Sequence, residues 1–133
     1  RKTIKLKDAD DFHRLMSTAF FVVPAEHHYS ILKYLMDAEL LRRAEAIALV
    51  DSNEREAELF IITEKVHEFR DKYSNASIEA PDGKTKKIIS WAHTKQEVEE
   101  GLERKEEYFI NLVQKSKVLL DKKDLLEELR NKL

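Results

Sequence analysis

Apolar residues recur at helical spacing along most of this 133-residue chain. Phe12, Leu15, Met16, Ala19, Phe20 and Val23 follow an i, i+3, i+4 rhythm that begins behind Asp8, Asp10 and Asp11 and stops at Pro24. Asp8 suits an N-cap, the next two aspartates suit the positive end of the helix dipole, and proline cannot continue a helix. The spacing predicts one amphipathic helix there. A second, longer helix is predicted over residues 25 to about 50. Tyr29, Leu32, Met36, Leu40 and Ile47 lie on its stripe, and Ile31, Leu35 and Ala44 widen it. A stripe that broad touches more than one neighbour. Leu59, Ile62, Val66, Phe69 and Tyr73 give a heptad-like seam, which predicts a third helix over residues 54–73.

The pattern changes at residues 77–91. Ile78-Glu79-Ala80 leads into Pro81-Asp82-Gly83, and Ile88, Ile89 and Trp91 follow. Pro, Asp and Gly in that order favour a tight turn, so this stretch reads as a β-hairpin. Thr94 to Glu97 has the form of a capping box and opens a helix to about residue 116, with Val98, Leu102, Phe109, Leu112 and Val113 as its apolar positions. Gly101 inside it costs helix stability and marks a close contact. A last helix starts at Asp121 or Asp124, with Leu125, Leu126, Leu129 and Leu133 on its edge.

Two glycines and two prolines in the whole chain leave few obvious places to turn. With the periodicity, this gives the expected fold: a mainly α, all-α-like helical bundle of four to five helices with one β-hairpin near residues 77–91. It is one domain, with residues 1–73 as helical core, 77–91 as hairpin and 94–133 as C-terminal helices.

Composition narrows the function classes. Charged residues make up 38% of the chain, yet 24 basic against 26 acidic groups leave a net charge of only −2. No global field pulls toward nucleic acid or anionic lipid. The absence of cysteine removes disulfides, thiolate chemistry and cysteine-bound zinc, and fits a reducing, cytoplasmic setting. The longest apolar run, residues 19–23, is far short of a membrane span.

No catalytic constellation stands out. Adjacent His27 and His28 point apart on a helix, so one metal does not suit both, and they read as a partly exposed helix start. Glu64 and His67 share the Glu-x-x-His spacing of di-iron bundles, but that site needs the pair twice, and Asp10/His13 is its only echo. There is no nucleophile elbow and no phosphate loop, so the expectation is a non-enzyme without metal or cofactor.

Two function readings remain. The first is a non-catalytic interaction or regulatory module, dimeric or bound to a protein partner, acting through Leu102, Phe109, Leu125, Leu126, Leu129 and Leu133. Those leucines end a segment too short to be a stable helix in water alone. Cutting the chain before Asp121 would then weaken self-association more than it unfolds the rest. The second is a DNA-binding regulator of winged-helix-like order. Its hairpin lysines Lys84, Lys86 and Lys87, with the basic arm Arg1, Lys2, Lys5 and Lys7, would contact phosphates.

Overall fold

The long apolar stretches of the middle of the chain are strands. A computed structural model describes residues 9–133 and shows an α/β fold built on a five-stranded mixed sheet. Helix α1 (Ala9–Val22) leads through a 3-10 turn (Ala25–His27) into α2 (His28–Asp37) and the one-turn α3 (Leu40–Arg43). Strands β1 (Ala44–Ser52) and β2 (Glu56–Thr63) follow, then α4 (Val66–Tyr73), β3 (Asn75–Glu79) and β4 (Thr85–His93). Helices α5 (Lys95–Glu103) and α6 (Glu107–Lys115), strand β5 (Lys117–Asp121) and helix α7 (Leu125–Arg130) complete the order. In the sheet the strands lie β3-β4-β2-β1-β5. Only β2 and β4 run parallel; their crossover carries α4 and β3.

The chain is therefore neither mainly α nor an all-α helical bundle. The helix expected over residues 25–50 stops at Asp37 and gives way to β1, and the one expected over 54–73 is β2 followed by α4. Sheet burial explains both corrections. Ile47, Leu49, Leu59 and Ile61 face α1, α2 and α4, while Ala46, Ala48, Phe60 and Ile62 face α5, α6 and α7. A strand buried on both faces is apolar at consecutive positions, and such a run satisfies a helical spacing as readily as a strand. The hairpin is present as β3 and β4, turning at Pro81-Asp82-Gly83, where Gly83 takes φ 83°. It forms part of the larger sheet, because β4 also pairs with β2. The capping box is present too: Glu97 N–H donates to Thr94 Oγ1 at 3.1 Å and Thr94 N–H to Glu97 Oε1 at 3.0 Å. Among the described residues no helix is long and apolar enough to cross a membrane.

Two clusters make the core. On one face Leu15, Ala19 and Val23 of the α1 region pack with Ile31, Tyr34 and Leu35 of α2 and Phe69 of α4. Tyr34 anchors this side. Its hydroxyl donates to the Tyr73 carbonyl at 2.6 Å, so the Ser90 hydroxyl, also 2.6 Å away, must donate to it. Burial raises the Tyr34 phenol well above its ordinary value. On the other face Val98, Leu102, Leu112, Val113, Leu125, Leu126 and Leu129 close over β1 and β2. Asp121, at the end of β5, turns its carboxylate onto the start of α7 and accepts from Leu125 and Leu126 N–H, both at 2.8 Å. That interaction explains why the helix begins just after it.

Candidate functional site

Among the described residues, the end of α1 carries the two most exposed of the large apolar side chains, and the start of α2 adds another. Leu15, Ala19 and Val23 hold α1 against Leu119 and Leu120 of β5, so the opposite side of the helix faces outward. Phe20 is 71% exposed and Phe21 87%, with Met16 and Tyr29 also exposed. The local sequence fixes this surface rather than leaving it loose. Pro24 (φ −54°, ψ 141°) ends the helix and starts the 3-10 turn. His28 Nε2 then donates back to the Val23 carbonyl at 2.7 Å, and Phe20 lies against the same imidazole with ring centres 5.6 Å apart. Phe21 meets Phe20 edge-on at 5.9 Å. Beneath the turn, His27 is fully buried, not a partly exposed helix start. Its Nε2 donates to the Asn53 carbonyl at 2.5 Å, tying the α1–α2 connection to the β1–β2 turn, while its buried Nδ1 has no hydrogen-bond partner.

A second constellation sits at the C-terminal end of β4, where α4, α5 and α6 converge. Arg70 Nη2 donates to the Ala92 carbonyl at 2.6 Å and to His93 Nδ1 at 3.0 Å. Arginine has no acceptor to offer, so His93 Nδ1 is unprotonated and the proton sits on Nε2, which donates to the Tyr108 hydroxyl at 2.7 Å. Glu97 stands 3.6 Å from His93 Nδ1 and 3.5 Å from Arg70 Nη2. Burial is the largest influence on His93 and lowers it below 6.5, the nearby Arg70 charge adding to this and Glu97 opposing it. Burial would raise the Glu97 carboxyl, but the Thr94 N–H, Arg70 and His93 together outweigh it and the net shift is downward. Burial pushes the Tyr108 phenol up. Each of these polar groups is engaged by another, a pattern that holds three helices against a strand end. Phe109 packs on His93 and on Gly101, where a Cβ would fall 2.1 Å from the Phe109 ring; this is the close contact expected at that glycine.

The residues singled out from sequence fall in different places. Leu102, Leu125, Leu126 and Leu129 are buried in the second core cluster and Phe109 packs against it, so these side chains meet the chain's own sheet. Leu133 lies apart from that cluster and is 48% exposed. Lys84, Lys86 and Lys87 do come together, with Arg55, along an open cleft of about 730 Å3, but Glu26, Glu54 and Asp82 line it too. Lys86 is only 8% exposed and its ammonium donates to the Glu54 carbonyl. The expected basic arm of Arg1, Lys2, Lys5 and Lys7 lies outside the described residues. Glu64 precedes α4 while His67 lies within it, so the two do not share successive turns of one helix. Sequence reasoning placed Met16, Phe20 and Tyr29 on helix stripes without separating exposed from buried. Phe21 was the available signal, an aromatic directly beside the stripe that the stripe could not absorb.

Compared with protein-family models, with curated proteins and with solved structures, the chain matches none of them.

Proposed function

We propose that the protein is a non-catalytic binding module that engages a protein partner through the apolar surface of Met16, Phe20, Phe21 and Tyr29. The observation that carries this reading is the adjacent pair Phe20 and Phe21, both more than two-thirds exposed on a helix whose other side is locked into the core. Isolated exposed apolar residues are ordinary, but adjoining large aromatics on a rigid element are characteristic of binding surfaces. Covering each phenylalanine is worth about 2 kcal/mol. The surface is also pre-organised, because the Val23 carbonyl fixes His28 and His28 backs Phe20; little ordering remains to be done on binding.

The polar groups around His93 are paired with one another and hold three helices against the end of β4, which gives them a structural role beside the proposed one of the phenylalanine surface. The nucleic-acid reading has less support: its winged-helix frame goes with the all-α expectation, and three carboxylates share the lysine cleft.

A photo-crosslinking residue placed singly at position 21, and for comparison at exposed position 87, tests the proposal in cells. The expected result is a discrete crosslinked protein at 21 that is absent at 87. In purified form that protein should bind the chain, and F20S/F21S should weaken the binding by tenfold or more. Identical crosslinks at both positions, or binding only to lipid vesicles, would overturn it.

A further inference from the structure

The sheet has two edges, and they are treated differently. Edge strands expose unpaired backbone groups that invite another strand, and proteins usually blunt them with bulges, charges or covering elements. Strand β5 is blunted in several ways. Ile47 pairs with Leu120 and Ala48 with Val118, so Leu119 is an extra residue that breaks the register. Arg130 donates to the Ser116 carbonyl at its start, Asp121 is turned onto α7 at its end, and Lys117, Lys122 and Lys123 bracket it.

Strand β3 carries neither a bulge nor a cation, and Glu79 at its end is its one charge. It pairs with β4 in unbroken register from Asn75↔Ile89 to Glu79↔Thr85 and holds no lysine, arginine or proline. Ser90 N–H donates to the Ser74 carbonyl at 3.0 Å, and Ala80 N–H to the Lys84 carbonyl at 2.8 Å. In an antiparallel ladder the bonded positions alternate, so residues 74, 76, 78 and 80 turn their backbone groups toward β4. Asn75, Ser77 and Glu79 therefore turn theirs to the outer edge, and all three are exposed.

From this we infer that β3 pairs antiparallel with β3 of a second copy, about a two-fold axis at Ser77, joining the two sheets into one. The outward positions 75, 77 and 79 are symmetric about Ser77, as an isologous contact requires. Asn75 would oppose Glu79 of the second copy, an amide donor to a carboxylate. Ser77 would oppose itself through hydroxyls, and Ala76 would oppose Ile78 and extend the apolar layer. No like charges face each other, and three mutually bonded pairs give about six backbone hydrogen bonds. This surface is distinct from Phe20 and Phe21, and the inference does not depend on the proposed partner binding.

The test is the mass of the intact protein against concentration, by sedimentation or light scattering. Wild type should rise from 15.7 kDa toward twice that value. S77K, which sets two ammonium groups against each other on the axis, should shift the dimer constant by tenfold or more. S77P removes an N–H that β4 does not use, and should stay monomeric with its thermal midpoint nearly unchanged. The chain has no cysteine, so S77C offers a single thiol. Paired backbones at the axis would stand about 5.5 Å apart, within disulfide reach, and mild oxidation should crosslink S77C but not S17C on α1. F20S/F21S should leave the dimer intact. A wild type that stays monomeric at every concentration would overturn the inference, as would S77K dimerising like wild type.

Discussion

Single side chains decide much of this fold, and several do so through roles that residue type alone does not reveal. Tyr34 lies off the apolar stripe read from sequence for its segment, yet its hydroxyl links α2 to the end of α4 and to β4. Removing that oxygen in Tyr34→Phe takes the partner from a part-buried carbonyl and a buried hydroxyl, and should lower the unfolding free energy by about 2 kcal/mol in a denaturant titration. An unchanged midpoint would mean the network does not hold. Gly101→Ala should also destabilise, although alanine is the better helix former by roughly 1 kcal/mol, because the new Cβ meets the Phe109 ring. In a Phe109→Ala background the same change should become neutral or stabilising, a sign reversal that a double-mutant cycle reads directly. The scarcity of glycine misled at this scale. The chain turns where Glu39, Lys105 and Asp124 take left-handed backbone (φ 55°, 58° and 56°), and where Asn53 Oδ1 accepts from the N–H groups of Arg55 and Glu56. Few glycines therefore did not mean few turns.

Among the elements, those whose signal is local were legible in sequence. Helix α1 ends where its apolar rhythm meets Pro24, the hairpin turns at its Pro-Asp-Gly, and α5 starts at its capping box. Strands β1 and β2 were not, because the burial that makes them strands also erases alternation. Leu59 and Ile62 fitted a heptad only if Phe60 and Ile61 between them were ignored, and Val66, Phe69 and Tyr73 belong to the helix beyond the strand. Similarly, the leucines of α7 looked unpartnered because the sheet they cover was unseen. Their burial changes what truncation should do. Removing residues 121–133 strips Leu125, Leu126 and Leu129 from Ala46, Ala48, Phe60 and Ile62. At about 2 kcal/mol each this is roughly 6 kcal/mol, a large share of the stability of an ordinary domain. The cut should lower the thermal midpoint sharply. A truncated chain that keeps its midpoint and loses only self-association would restore the earlier expectation.

For the whole molecule, the His93 constellation ties stability to pH. His93 holds its proton less readily in the folded chain than at the ordinary value of 6.5. The unfolded chain therefore takes up more protons as pH falls from 6.5 toward the lowered folded value, and stability falls with it. Glu97 is also lowered, so its contribution is present above the ordinary carboxylate range and lost as pH falls through the folded value. Both groups make acid destabilising, with Arg70 and Tyr108 facing them. His93→Gln should flatten the upper part of that dependence between pH 7.5 and 5.5, and an unaltered slope would assign it to other groups. The candidate binding surface belongs to this scale as well. Phe20 and Phe21 could be recognised as exposed only once the sheet had defined which side of α1 is inside. Calorimetric titration of the protein crosslinked at position 21, against wild type and against F20S/F21S, tests the account most directly. It predicts a loss of affinity of at least tenfold with the circular dichroism unchanged, and equal affinities for the two would contradict it.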